Sequence, residues 1–140
     1  MPCDRTGPPD MLTAMDGRSE RLLIIDDDAA TTQTFAVILR LEGYQVRTAI
    51  TANDGLREVD EFRPDAIIVD LRMPLINGFG FLYRLREHRG FNDTPVAIVT
   101  GDVSLDDEAL DELRELGADI CFKPLWTDDL VGLADKLLSH

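Results

Sequence analysis

From Arg21 onward, short continuous apolar runs alternate with longer amphipathic stretches, and the alternation repeats five times. The runs at 22–25, 66–69 and 95–99 are apolar almost without a break, the pattern of strands covered on both faces. Two further runs, at 45–49 and 120–122, complete a set of five predicted strands. Each is followed by a helical pattern. The first helix is expected over 30–41, with Phe35, Ile38, Leu39 and Leu41 as its apolar stripe and Gly43 closing it. The second is expected over 53–62, with Leu56, Val59 and Phe62 three apart and Pro64 ending it. Helices at 79–88, 105–116 (stopped by Gly117) and 128–138 follow. Five β/α units of this kind predict an α/β fold, a doubly wound five-stranded parallel sheet with five helices.

That architecture says where to look for chemistry. In an open parallel sheet the ligand site lies in the crevice beyond the carboxyl ends of the strands. The polar residues at those ends are Asp26, Asp27 and Asp28 after the first strand, Asp70 after the third, Thr100 after the fourth and Lys123 after the fifth. Three carboxylates in a half-buried crevice repel one another by several kcal/mol unless protons or a cation offset the charge. A hard divalent cation is the natural neutraliser. Mg²⁺ takes one or two carboxylates and completes its shell with water and phosphate oxygens, so an incomplete oxygen cage points to a site finished by a phosphoryl group. Lys123 and the Thr100 hydroxyl suit the remaining phosphoryl oxygens, and the set as a whole suits phosphoryl transfer to a carboxylate. Taken singly, each residue also has a plain structural reading: the Asp26–Asp28 triplet as a helix cap, Asp70 in a loop, Thr100 as a cap and Lys123 as a solvated charge. Their joint placement at one edge favours the functional reading.

Composition narrows the partners. The chain has 140 residues, 14 Lys and Arg against 27 Asp and Glu, and a formal charge of −13. That sign argues against direct DNA binding and against an anionic membrane surface, and no apolar run reaches the length of a membrane span. The length predicts one domain with no second output domain. Residues 1–19, with three prolines and two glycines, read as a flexible extension ahead of a folded domain at 20–140. They lack the charged start and apolar middle of a secretion signal, so a cytoplasmic location is expected. Cys3 and Cys121 form neither a disulfide framework nor a metal cluster.

The motifs LLIIDDD at 22–28, IIVDLRMPLINGF at 67–79, AIVTGD at 97–102 and CFKPL at 121–125 resemble, in combination, the response-regulator receiver domains of two-component signalling. The likeness covers about Arg21 to Leu138. It implies a flavodoxin-like sheet of order 2-1-3-4-5. It also implies that Asp70 is the phosphoacceptor, charged by a sensor histidine kinase, a histidine phosphotransfer protein or a small phosphodonor. Asp27, Asp70 and the backbone carbonyl of Arg72 would bind Mg²⁺ directly, with Asp26 acting through water. Lys123 would pair with the phosphoryl group and Thr100 would swing toward it. Pro74 and Gly78 would shape the loop after Asp70, and the Lys123–Pro124 bond would be cis. The surface of fourth helix, fifth strand and fifth helix would then change protein partners. On this reading the chain is a signalling module rather than a turnover enzyme, either a single-domain regulator or a receiver excised from a larger regulator or hybrid kinase.

One departure stands out. Receivers often carry an aromatic residue three positions before the lysine, where this chain has Ile120. Phe122 shares the strand face of Ile120 and is expected to be a core residue. Arg72 and Asp102 are placed to pair over the phosphoryl group and hinder hydrolysis, with exposure to solvent the equal alternative. Between Asp102 and Asp119 there are eight acidic residues and one basic, Arg114, a run expected to be a solvated face or, alternatively, a docking surface for a basic partner. Arg84, Arg86 and Arg89 suggest a small basic patch. His88 and His140 are expected to be exposed and Cys121 to be a core filler. Trp126 is expected either to anchor a partner or to pack at the start of the last helix. The rival from the enzyme class is a haloacid-dehalogenase-like phosphatase with Asp26 as nucleophile in Asp26-x-Asp28, supported by Thr100-Gly101, Lys123 and Asp128-Asp129. A receiver fold that signals without phosphorylation is the third reading.

Overall fold

The computed structural model describes residues 20–71, 78–88, 90–101 and 105–139. The elements alternate strictly: β1 (Arg21–Ile25), α1 (Ala29–Leu41), β2 (Gln45–Ala49), α2 (Ala52–Phe62), β3 (Ala66–Asp70), α3 (Gly78–Glu87), β4 (Val96–Thr100), α4 (Asp107–Glu115), β5 (Ala118–Phe122) and α5 (Thr127–Leu138). All pairings are parallel, in the order β2-β1-β3-β4-β5. This is the flavodoxin-like sheet expected from the sequence.

The central strands β3 and β4 are buried at every position, which is why their sequences are continuously apolar up to Asp70 and Thr100 at their ends. Side chains alternate across the sheet. Leu23, Ile25, Ile67, Val69 and Ile98 face one layer with Val59, Phe81, Leu85 and Leu113 from α2, α3 and α4. Leu22, Ile24, Ile68 and Val99 face the other with Leu39 from α1 and Leu130, Leu133 and Leu137 from α5.

The helix boundaries have local causes. Asp28 caps α1, its carboxylate accepting from the Ala30 and Thr31 amides at 3.0 and 3.4 Å. Thr51 caps α2. Arg63, just before Pro64, ends α2 in the left-handed conformation at φ 53°. Gly43 follows α1 at φ 102° and Gly117 follows α4 at φ 82°, where a side chain would be strained.

Several expectations are corrected. Leu41 is 81% exposed; the buried positions of α1 are Thr32, Ala36 and Leu39, and Leu41, two residues on from Leu39, falls about 200° round the helix, on the opposite face. Phe122 is 43% exposed rather than a core residue. Strand alternation places it on the Ile120 face, but at the end of edge strand β5 nothing among the buried clusters covers it. Arg86 is not part of a surface patch, since its guanidinium donates to four backbone carbonyls, and burial pulls its pKa below the usual arginine value. His88 is half-buried, paired with Asp60 at 2.5 Å and edge-on to Phe91. Trp126 is 70% exposed at the start of α5. Cys121 is half-buried against the α5 layer, and burial pushes its thiol pKa up. The extension at 1–19, the loop at 72–77, Arg89, residues 102–104 and His140 lie outside the described residues.

Candidate functional site

The parallel register brings the carboxyl ends of the strands to one edge. β1 pairs with β3 so that Ile25 lies beside Val69, and Asp26 and Asp70 follow directly. Asp26 is 5% and Asp70 7% exposed. The Asp26 amide donates to the Ala49 carbonyl at 3.1 Å, holding the first residue beyond β1 in line with β2. The Asp26 carboxylate in turn accepts the Asp28 amide at 3.0 Å. No sequence signal marked Ala49 as a support of the site, since its contribution is a carbonyl.

Carboxylate oxygens of Asp26, Asp27 and Asp70 all lie within 4.8 Å of one another. Lys123 reaches over them from β5, its Nζ 3.4 Å from Asp26 Oδ2 and 3.6 Å from Asp70 Oδ1. Among the described residues, the Lys123 ammonium bridges two of these three carboxylates, Asp26 and Asp70, beside hard oxygen donors. That donor set fits Mg²⁺, which favours few carboxylates and keeps space for other oxygens. Thr100 is fully buried at the end of β4. Its carbonyl accepts the Lys123 amide at 2.8 Å, so the threonine and the lysine are tied through the backbone. The Lys123–Pro124 bond is cis, as the family resemblance implied.

The triplet after β1 divides its labour. Asp26 and Asp27 join the cluster, whereas Asp28 is occupied in capping α1. Hydrogen bonds from the side chain and amide of Thr31, and from the Ala30 amide, hold the Asp28 carboxyl below its ordinary value. Of the triplet, Asp28 is the residue that caps the helix.

The chain after Asp70 is held closely as well. The Leu71 amide donates to Val99 at 3.0 Å and the Gly78 amide to Leu71 at 2.8 Å. A Cβ on Gly78 would lie 2.9 Å from Leu71 Cα and 3.2 Å from the Asp70 carbonyl oxygen, so only glycine lets α3 start this near the site. Arg72, Pro74 and Asp102, all assigned roles near the site from sequence, lie outside the described residues.

The chain matches the response regulator receiver domain family over residues 22–135. It belongs to that family. PrrA of Mycobacterium leprae, a transcriptional regulatory protein, is 37% identical over 87% of this chain and 51% of its own length. The structure of chemotaxis protein CheY4 from Vibrio cholerae superposes with a TM-score of 0.79 at 27% identity, covering 86% of this chain and 99% of that one. The signal receiver domain of a signal transduction histidine kinase from Syntrophus aciditrophicus gives a TM-score of 0.74 at 26% identity, covering 86% of this chain and 90% of that one. This receiver spans about half the length of the curated relatives it matches. The phosphatase reading finds no support. Of its acidic residues, Asp28 caps α1, and Asp129 accepts the Trp126 amide at 3.1 Å as a cap of α5.

Proposed function

We propose that this receiver takes a phosphoryl group on Asp70 from the phosphohistidine of a kinase or phosphotransfer partner, or from a small phosphodonor. The observation that carries the proposal is Lys123 Nζ bridging Asp26 and Asp70 at 3.4 and 3.6 Å in a cluster of three carboxylates. In the transfer, an Asp70 carboxylate oxygen forms the new bond to phosphorus while the bond from phosphorus to the donor's nitrogen or oxygen breaks. The donor leaves with the electron pair and takes up a proton, and an acyl phosphate remains. The receiver returns to its starting form by hydrolysis.

The residues divide that work. Asp27, Asp70 and the Arg72 carbonyl would hold Mg²⁺ directly and Asp26 through water; bound there, the ion offsets the charge of both the carboxylates and the incoming phosphoryl group. Lys123, freed from Asp70 as the phosphoryl group arrives, pairs with one of its oxygens. The Thr100 hydroxyl accounts for another, and its movement carries the change toward α4. Pairing of Arg72 with Asp102 over the phosphoryl group would slow hydrolysis.

The output follows by contact, through α4, β5 and α5, with a downstream protein. Whether the receiver acts alone or within a longer regulator or hybrid kinase, the charge of −13 disfavours nucleic acid as its own partner. Among the described residues no helix is long and apolar enough to cross a membrane, and a cytoplasmic location is part of the proposal. So is a single acceptance per cycle rather than turnover on an external substrate.

Labelling with acetyl phosphate tests this. Stoichiometric, Mg²⁺-dependent labelling that disappears in Asp70→Asn is the expected result. Labelling that survives Asp70→Asn, or turnover lost only in Asp26→Asn, refutes it, and a complete absence of labelling points to signalling without phosphorylation.

A further inference from the structure

The two helices that follow the site strands are tied to each other at two points. α3 follows the strand ending in Asp70, and α4 follows the strand ending in Thr100. Near their carboxyl ends Arg86 of α3 donates from Nε to the Leu116 carbonyl at 2.7 Å and from Nη2 to Gly117 at 3.4 Å. The same guanidinium donates from Nη1 to Thr94 at 2.7 Å and Phe91 at 3.1 Å, which fixes it to the segment entering β4. One turn earlier, the Tyr83 hydroxyl of α3 donates to the Glu112 carboxylate of α4.

Burial on α4 is concentrated at the same end. Leu113 is its one buried residue among those described, while Asp106, Asp107 and Glu108 at its start are exposed. A helix with so little buried apolar surface belongs to the low-stability part of a fold. Its carboxyl end is nonetheless anchored by Leu113 and the Arg86 fork, and its middle is held to α3 by Tyr83. Ile120 of β5 packs against the apolar layer of α2, α3 and α4.

We propose that α4 is a lever: Arg86 holds its pivot, the Tyr83–Glu112 hydrogen bond is the latch that holds it against α3, and the change at the phosphoryl site opens that latch. A nine-residue helix is about 13 Å long, so a tilt of about 10° about the carboxyl end moves the amino end by about 2 Å. The moving end is the one that follows Thr100 in the chain. Tyr83 is 45% exposed, so the latch is weak enough to open under a modest bias. The trigger rests on the phosphoacceptor reading; the latch does not.

Hydrogen exchange of the whole chain, read by mass spectrometry, tests both parts. In the free protein, Tyr83→Phe and Glu112→Ala are each expected to speed exchange of amides in 108–112 by about threefold to fivefold. The double variant should be no faster than either single one, and Glu112→Gln, which keeps an acceptor, should recover most of the protection. Exchange at 114–117 should stay unchanged, as should the unfolding midpoint to within a degree or two. Mg²⁺ with beryllofluoride, a phosphoryl mimic, should speed 108–112 in the wild type and add nothing in Tyr83→Phe. The proposal is overturned if the single variants leave 108–112 unchanged, if their effects add in the double variant, or if 114–117 accelerates equally. It is also overturned if beryllofluoride protects the segment holding Asp70 but leaves 108–112 unmoved. If the Asp70 segment does not respond at all, the phosphoacceptor reading and the trigger fail, and the free-protein variants still decide the latch.

Discussion

Replacing Asp70 by Asn is expected to stabilise the metal-free receiver and to reverse that advantage in Mg²⁺. The magnitude follows from the cluster itself. Asp70 lies within 4.8 Å of two other carboxylates and 3.6 Å from the Lys123 ammonium. At an effective dielectric near 20, each repulsion at that limit is about 3.5 kcal/mol, and the attraction to Lys123 is about 4.6 kcal/mol. Over these three partners, removing the Asp70 charge loses one attraction and two repulsions, a net gain of about 2 kcal/mol, or about 1 kcal/mol once stronger solvent screening is allowed for. Asn preserves the shape, so packing adds little. In EDTA the variant should melt about 4–8 °C above the wild type. Mg²⁺ at a hundred times its dissociation constant adds about 2.7 kcal/mol to the wild type. The variant, one carboxylate poorer, should gain much less. Thermal melts of both proteins in EDTA and in Mg²⁺ provide the four numbers. If Asp70→Asn melts at or below the wild type in EDTA, or if Mg²⁺ raises both equally, the charge-repulsion account of this site is wrong.

Three further outcomes follow from other parts of the structure. Gly78→Ala drives a Cβ to 2.9 Å from Leu71 Cα; it should cost about 1–2 kcal/mol in urea unfolding and slow acetyl phosphate labelling of Asp70 more than that loss explains. Arg86→Met leaves the carbonyls of Leu116, Phe91 and Thr94 without their donor and should lower stability by about 2–3 kcal/mol, measured in the same urea titration, in contrast to an exposed change such as Arg84→Met. The capping carboxylate of Asp28 has its pKa lowered in the folded state by the Thr31 and Ala30 hydrogen bonds. Its contribution is therefore present above the ordinary carboxylate range and is lost as pH falls through the lowered folded value. Asp28→Asn, which caps without titrating, should lose less stability than the wild type between pH 5 and 2 in acid melts, and equal losses would contradict the assignment.

Legibility differed from one part of the chain to another. Asp26, Asp27, Asp70, Thr100 and Lys123 were identifiable because each stands directly after an apolar run, and parallel strands of equal length bring such positions to one edge. Phe122 misled because strand alternation reports which face of the sheet a residue occupies, not whether the neighbouring layer extends far enough to cover it, and Leu41 because it lies about 200° round the helix from Leu39 in the buried stripe of Thr32, Ala36 and Leu39. Arg86 misled for a different reason. Three arginines within six residues look like a basic patch, but the acceptors of Arg86 are backbone carbonyls up to 31 residues away, which leave no mark in composition. Tyr83 and Glu112 escaped notice likewise, being 29 residues apart on two helices.

Hydrophobic patterning alone determined the class of fold, the number of β/α units and the strand ends whose polar residues converge, because burial on one or both faces is written into every few residues. The tertiary structure decided how the acidic triplet is shared, with Asp26 and Asp27 turned to the site and Asp28 to a helix cap. It likewise decided that Lys123 bridges Asp26 and Asp70, and how α4 is joined to α3. Those are matters of distance between elements remote in sequence, and only packing of the two helical layers on the sheet sets such distances.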